Sequence, residues 1–244
     1  MPAKNSIKIY SEDSYYHIYN RGVEKKLIFL DEQDYTVFLS YLRTYLLPKN
    51  EKSLRQKLSD ASISYKERDN ILRQLRLANF YNEITLLAYC LMPNHFHFMI
   101  KQKKSISIDQ FMNSIGIRYA MYFNKKYKRV GHLFQDVYKA VLIENEPQFL
   151  YLSAYIHRNP LKNCPKTKKM KLGIKVDGLC AYYFSQPSSY PEYLDQRKTH
   201  WIHQEDILKF FSKTNPKLSY QSFVEETQDI LILEPIVDII LDDA

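Results

Sequence analysis

The sequence predicts an α+β protein built on an antiparallel sheet, with helices packed on one face of it. Three observations carry that expectation. Strand-like runs alternate with amphipathic helical stretches along the chain. Two of the strand-like runs are joined by the tight turn Met92-Pro93-Asn94, which demands antiparallel pairing. The chain has 244 residues, 45 % of them hydrophobic and 25 % charged, so it is long enough and apolar enough to bury a sizeable core.

Taken in order, Tyr15 to Arg21 (YYHIYNR) reads as a first strand, closed by Gly22. Asp31 to Leu47 reads as an amphipathic helix, with Tyr35, Phe38, Leu39, Leu42 and Leu46 at helical spacing and Pro48 ending it. Residues 49–80 are charged and helix-prone and read as an inserted helical hairpin. Ile84 to Cys90 is a second strand, and residues 95–101 return as its antiparallel partner. Ser107-Ile108-Asp109-Gln110 has the spacing of a capping box, opening a helix that runs to about Tyr127 with Ile108, Phe111, Met112, Ile115, Tyr119 and Tyr122 down one side. A basic loop through Gly131 leads to a strand near Val137 to Ile143. Pro147 sits where a first-turn proline belongs, and Gln148 to Arg158 forms a helix that Asn159-Pro160 stops. Strand, helix, strand, strand, helix, strand, helix is the order of a ferredoxin-like arrangement, leaving one sheet face open. Beyond it, Asp206 to Ser212 and Tyr220 to Ile230 look helical. This tail is read as packing on the core, with a dimer contact and an acidic mask over a binding groove as the other readings.

The chemistry is concentrated in His95-Phe96-His97-Phe98. Side chains alternate across a strand, so His95 and His97 share one face while Phe96, Phe98 and Ile100 share the other. Two imidazoles on the open face can share a divalent ion. On the last helix Tyr151, Tyr155 and Asn159 recur every fourth residue and lie on one face, where a tyrosine and an amide oxygen could join the histidine pair. A phenol with a pKa of about 10 is a poor nucleophile at neutral pH, and a cation on the phosphate under attack would offset this.

The net charge of +8 is unevenly placed. Residues 225–244 carry seven acids and no base, and the first 224 hold 35 basic against 20 acidic residues, a net +15. Basic clusters at Lys101 to Lys104, Lys125 to Arg129 and Lys162 to Lys171 suit a phosphate backbone. Cys90, Cys164 and Cys180 fit no metal spacing and suggest reduced thiols. No apolar run is long enough to span a membrane, and no apolar signal region opens the chain, so a soluble, cytoplasmic, nucleoid-associated protein without a membrane partner is expected.

Five segments, in this order, resemble the single-tyrosine HUH transposases, and within them the REP-associated tyrosine transposases of bacteria. They are Tyr16-His17-Ile18 through Arg21-Gly22 with Ile28-Phe29; Met92-Pro93-Asn94-His95-Phe96-His97; Gly131-His132-Leu133-Phe134-Gln135 with Tyr138-Lys139; Tyr155-Ile156-His157-Arg158-Asn159-Pro160; and Ser188-Ser189-Tyr190. The resemblance implies an HUH nuclease fold, with residues 1–165 as the catalytic domain, 49–80 inserted in it, and 166–244 as an extension, partly helical with an acidic tail. It implies that His95 and His97 are metal ligands, Asn159 a third ligand and Tyr155 the nucleophile, with Mg2+ or Mn2+ as the ion. Family members cut single-stranded DNA beside short imperfect hairpins, leave a 5′-phosphotyrosine and a free 3′-hydroxyl, and rejoin strands by the reverse reaction.

Arg21, Arg118, Lys125, Lys126 and Lys139 are candidate DNA contacts. His17 and His132 read as structural, and Tyr151 is the rival nucleophile. One departure from the family pattern is Asp136-Val137, where the family often has Gly-Arg, which puts an acid in place of a phosphate-contacting cation. Single-stranded or hairpin DNA is the expected partner, with a homodimer as a further expectation. A hairpin DNA- or RNA-binding protein that does not cut is the alternative. A metal-dependent phosphohydrolase would need a further carboxylate or histidine beside the pair, which the local sequence does not offer.

Overall fold

The computed structural model describes residue 8, residues 10–161 and residues 187–240. Strands β1 (Tyr15–Arg21), β2 (Ile84–Met92), β3 (His95–Gln102) and β4 (Lys139–Leu142) form one antiparallel sheet in the order β2-β3-β1-β4. Helix α1 (Glu32–Leu46) connects β1 to β2, and α4 (Ser107–Lys126) connects β3 to β4. Between α1 and β2 stand α2 (Glu51–Leu58) and α3 (Tyr65–Arg76), the helical insertion expected from the charge pattern. The fold is α+β, with the ferredoxin-like order of strands. β1 and β2 run parallel, as do β3 and β4. Right-handed crossovers therefore place α1 and α4 on the same face.

That face holds the larger core. Tyr16, Ile18, Phe96, Phe98 and Ile100 from the sheet meet Phe38 and Leu42 of α1 and Phe111, Ile115 and Tyr119 of α4. Their period-two and period-four spacings are the alternation that the sequence displays. A bulge in β2 between Leu86 and Ala88 adds Leu87, so that Leu87 and Ala88 both pack on the opposite side from Leu86.

The opposite face carries the histidines, and here the structure departs from the expected open sheet. Helix α5 (Glu146–Arg158) lies across it, followed by the C-terminal extension. Met99, Cys90 and Met92 of the sheet, Leu152 and Ile156 of α5, and Ile232, Ile236 and Ile239 of the extension form a second core. The physical reason is legible in retrospect: Ala88, Cys90, Met92 and Met99 make half of this face apolar, and exposed they would cost the burial they now gain. The extension includes α6 (Tyr190–Tyr193), α7 (Glu205–Leu208), α8 (Tyr220–Glu226) and α9 (Asp229–Leu233). Of the tail readings, packing on the core is what the described residues display. The Lys162 to Lys171 cluster and the last acids, Asp242 and Asp243, lie outside the described residues. Among the described residues no helix is long and apolar enough to cross a membrane.

One local expectation needs correcting. Ser107 does not cap α4: the N-cap is Ile106, and the Ser107 hydroxyl donates to Glu83 across the sheet edge at 3.0 Å. A capping box does occur, at Ser64 and Glu67 opening α3.

The β2–β3 turn is held from outside. The Pro93 carbonyl accepts from the Ile28 and Phe29 amides at 2.8 and 3.0 Å, and the Asn94 carbonyl accepts from Gly22 at 2.8 Å. Val23 donates to Leu133, and Gln135 donates to Arg21, which ties in the Gly131–Gln135 segment. Gly22 is required by space, because a Cβ there would stand 2.1 Å from the Lys26 carbonyl oxygen. Gly22→Ala should therefore cost about 1–3 kcal/mol of stability through overpacking. A denaturant melt that leaves the midpoint unchanged would show that this turn gives way without strain.

Candidate active site

The alternation of β3 puts His95 and His97 side by side, with ring centroids 5.0 Å apart. His97 has no exposed surface, while His95 is half-buried at the end of the sheet. The His95 Nδ1 meets the Asn94 Oδ1 at 2.6 Å. The His97 Nδ1 meets the His17 Nε2 at 3.0 Å, and the His17 Nδ1 meets the Ile239 carbonyl at 2.5 Å. Burial pushes His17 down to about 4, so it is neutral at physiological pH.

Tyr155 comes from α5, on a different part of the chain. Its ring stands edge-on to His97, with centroids 5.4 Å apart and planes at 85°, and 6.3 Å from His17. Only 2 % of Tyr155 is exposed. Tyr151, one turn earlier on α5, is turned toward the extension, where its ring packs against Phe223 at 5.2 Å. The two tyrosines that sequence spacing left in competition thus have different surroundings, and only Tyr155 has its ring against the histidine pair.

Asn159 ends α5 as its C-cap and is buried. Its Nδ2 has no hydrogen-bond partner among the described residues. A buried amide with an unmet polar group needs an explanation, and a ligand-holding role is one. Among the described residues no group of three or more His, Cys, Asp or Glu could hold a metal ion. The two imidazoles, with the Asn159 amide that the resemblance implies as a third ligand, are neutral donors of a kind that suits Mn2+ better than Mg2+.

Comparisons with known proteins give the family. A family model for the IS200-like transposases matches residues 36–159, just over half of the chain. The chain belongs to the IS200-like transposase family. The matched stretch takes in both histidines, Tyr155 and Asn159. Among solved structures, a "REP associates tyrosine transposase bound to a REP hairpin" is similar, with a TM-score of 0.42 and 11 % identity over 81 % of this chain and 95 % of that one. No curated protein sequence matches.

The candidate cations of the transposase fall into two groups. Arg21 is the register partner of His95 across β1 and β3, and its Nε donates to Gln135 Oε1 at 2.5 Å. Lys139 pairs with Tyr19 in the register of β4 and is matched by Asp136 at 3.4 Å. The Val137 amide and Lys139 hold the Asp136 carboxyl below the usual range, so the acid that departs from the family pattern is charged and partly neutralises Lys139.

The others are on α4, behind the sheet. Arg118 lies over the Tyr41 ring at 3.9 Å. Lys126 binds Asp31 and the buried Asp34 at 2.7 and 2.8 Å. Both join α1 to α4 through these contacts. Lys125 is exposed on α4, away from the histidines.

Sequence reasoning passed over His157. It is fully buried on α5, between Tyr220 at 2.7 Å and Ser189 at 2.8 Å, and burial holds it neutral, down to about 3. Ser189 Oγ also accepts from the Tyr89 amide of β2 at 2.8 Å. The Ser188-Ser189-Tyr190 segment therefore ties the Tyr155 helix to the sheet. The only sequence signal was the shared resemblance of both segments. His157→Leu removes the partner of two buried hydroxyls and should cost about 1–3 kcal/mol, read as a lowered thermal midpoint. An unchanged midpoint would mean that the tie is dispensable.

Proposed function

We propose that this transposase cuts and rejoins single-stranded DNA beside imperfect hairpins, with Tyr155 as the nucleophile. The observation that carries the reading is the Tyr155 ring set edge-on against His97, from an element far away in sequence. In the proposed step the phenolic oxygen attacks a backbone phosphorus. The Oη–P bond forms and the bond to the 3′-oxygen breaks. The phenol gives up its proton, and the departing 3′-oxygen takes one up to become a free hydroxyl. The 5′-phosphotyrosine keeps the energy of the broken ester, so attack by another 3′-hydroxyl rejoins strands without a nucleotide cofactor.

His95, His97 and Asn159 would hold the ion, Mg2+ or Mn2+. Such an ion, when bound, polarises the phosphate and stabilises the charge developing on it. Arg21, the register partner of His95, would meet the phosphate from that side. Lys125 and Lys139 are proposed as weaker backbone contacts. The hairpin preference rests on the motif resemblance, and the basic excess of the first 224 residues supports a nucleic-acid partner.

One observation favours a second reading, a hairpin DNA- or RNA-binding protein that does not cut: Tyr155 and His97 are closed off from solvent in this conformation. A covalent-trapping experiment separates the two. Protein, Mn2+ and labelled single-stranded hairpin oligonucleotides are run on a denaturing gel beside Tyr155→Phe and Tyr151→Phe. A shifted band in the wild type and in Tyr151→Phe, absent from Tyr155→Phe, is the expected result. Binding without any band would establish the second reading, and a band lost only in Tyr151→Phe would move the nucleophile. His97→Ala should lose the band at every Mn2+ concentration tried; recovery at high Mn2+ would show that this imidazole is not needed for the chemistry.

A further inference from the structure

We propose that His17 is a positioning residue that sets the tautomer of His97, using a main-chain carbonyl of the C-terminal extension as its fixed reference. The inference rests on the proposed metal site and adds a residue that acts through one of its ligands.

With His17 neutral, the chain of hydrogen bonds runs in one direction. A carbonyl oxygen can only accept, so the His17 Nδ1 facing Ile239 at 2.5 Å carries a proton. A neutral imidazole has one such proton, which leaves the His17 Nε2 as an acceptor. The group it faces at 3.0 Å is the His97 Nδ1, which must then be the donor. With its proton on Nδ1, neutral His97 carries its lone pair on Nε2, the nitrogen that a metal would take.

The ring geometry agrees. The two imidazole planes are within 17° of each other and their centroids are 5.2 Å apart. That separation, with a 3.0 Å contact between nitrogens, describes two rings side by side in nearly one plane rather than face to face. It is the alignment of an in-plane hydrogen bond. His17 and Ile239 are buried, so water does not compete for either end of the relay. His95 is oriented in a comparable way by a local group, Asn94 Oδ1. His97 instead draws its orientation from a residue at the far end of the chain. Partners of this kind around metal-bound histidines contribute about 10–100-fold in metal affinity.

Two measurements test this. The first is calorimetric titration of the full chain with MnCl2, for wild type, His97→Ala, His17→Leu and His17→Gln. His17→Leu keeps bulk and removes the relay, and should weaken Mn2+ binding about 10–100-fold. The Gln amide can donate to the Ile239 carbonyl and accept from His97, and should recover most of that loss. Equal affinity in wild type and His17→Leu, with binding lost in His97→Ala, would overturn the role of His17 and leave the metal site standing. Equal affinity in wild type and His97→Ala would instead overturn the metal site.

The second measurement is independent of any variant folding. A long-range proton–nitrogen correlation spectrum of the metal-free wild type reports which imidazole nitrogen carries the proton. The expected pattern is a protonated Nδ1 on both His17 and His97. A protonated Nε2 on His97 would overturn the proposal.

Discussion

The arrangement depends on how two carbonyls in the β2–β3 turn are held. Pro93 and Asn94 form a two-residue connection, and left alone such a hairpin could slide against β1. The amides of Gly22, Ile28 and Phe29 close on those carbonyls and fix where β3 begins. A slip of one residue would exchange the two faces of β3, taking Phe96 and Phe98 out of the core and bringing the imidazoles into it. The burial of those phenylalanines against α1 and α4 and the placement of His95 and His97 are therefore one constraint seen from two sides. This also explains why segments far apart in sequence share one neighbourhood: Gly22, Ile28 and Phe29 hold the turn, and the stretch ending at Gln135 is bonded to Arg21 and Val23 beside it.

The second half of the site is fixed from the other side of the sheet. Tyr155 lies on a helix, and a helix laid on a sheet by apolar contacts alone can shift along it. Here α5 carries His157 in a socket made by Ser189 and Tyr220, and Ser189 is itself bonded to the backbone of β2. Neutral at physiological pH through burial, His157 can serve as both donor and acceptor between two hydroxyls. The C-terminal extension thus touches both halves of the site, the helix that carries Tyr155 through Ser189 and Tyr220 and the histidine pair through the Ile239 carbonyl.

Much of this was legible in the sequence, for identifiable reasons. The strand over Tyr15 to Arg21 and the alternation from His95 to Ile100 follow from side-chain period alone, and their faces came out as expected. Tyr155 could be separated from Tyr151 only by resemblance, because spacing along one helix does not say where that helix docks. The covering of the histidine face was not foreseen, because Cys90, Met92 and Met99 read as part of a generally apolar strand rather than as the floor of a second core. His17 was read only as structural, and His157 was passed over, for a related reason. A buried histidine is informative through its partners, and those partners, Ile239, Ser189 and Tyr220, are separated from them by many residues that no local pattern connects.

The charge argument changes most once the structure is considered. Counted along the chain, the basic residues form an undifferentiated surplus. In three dimensions Lys126 offsets the cost of burying Asp34 and is matched by acids, while Arg118 lies over the Tyr41 ring. Lys139 shares its charge with Asp136. Arg21 differs, since its described partner Gln135 is uncharged and its register partner is His95. A cation satisfied by a neutral amide keeps its field. That field lies beside the half-exposed His95.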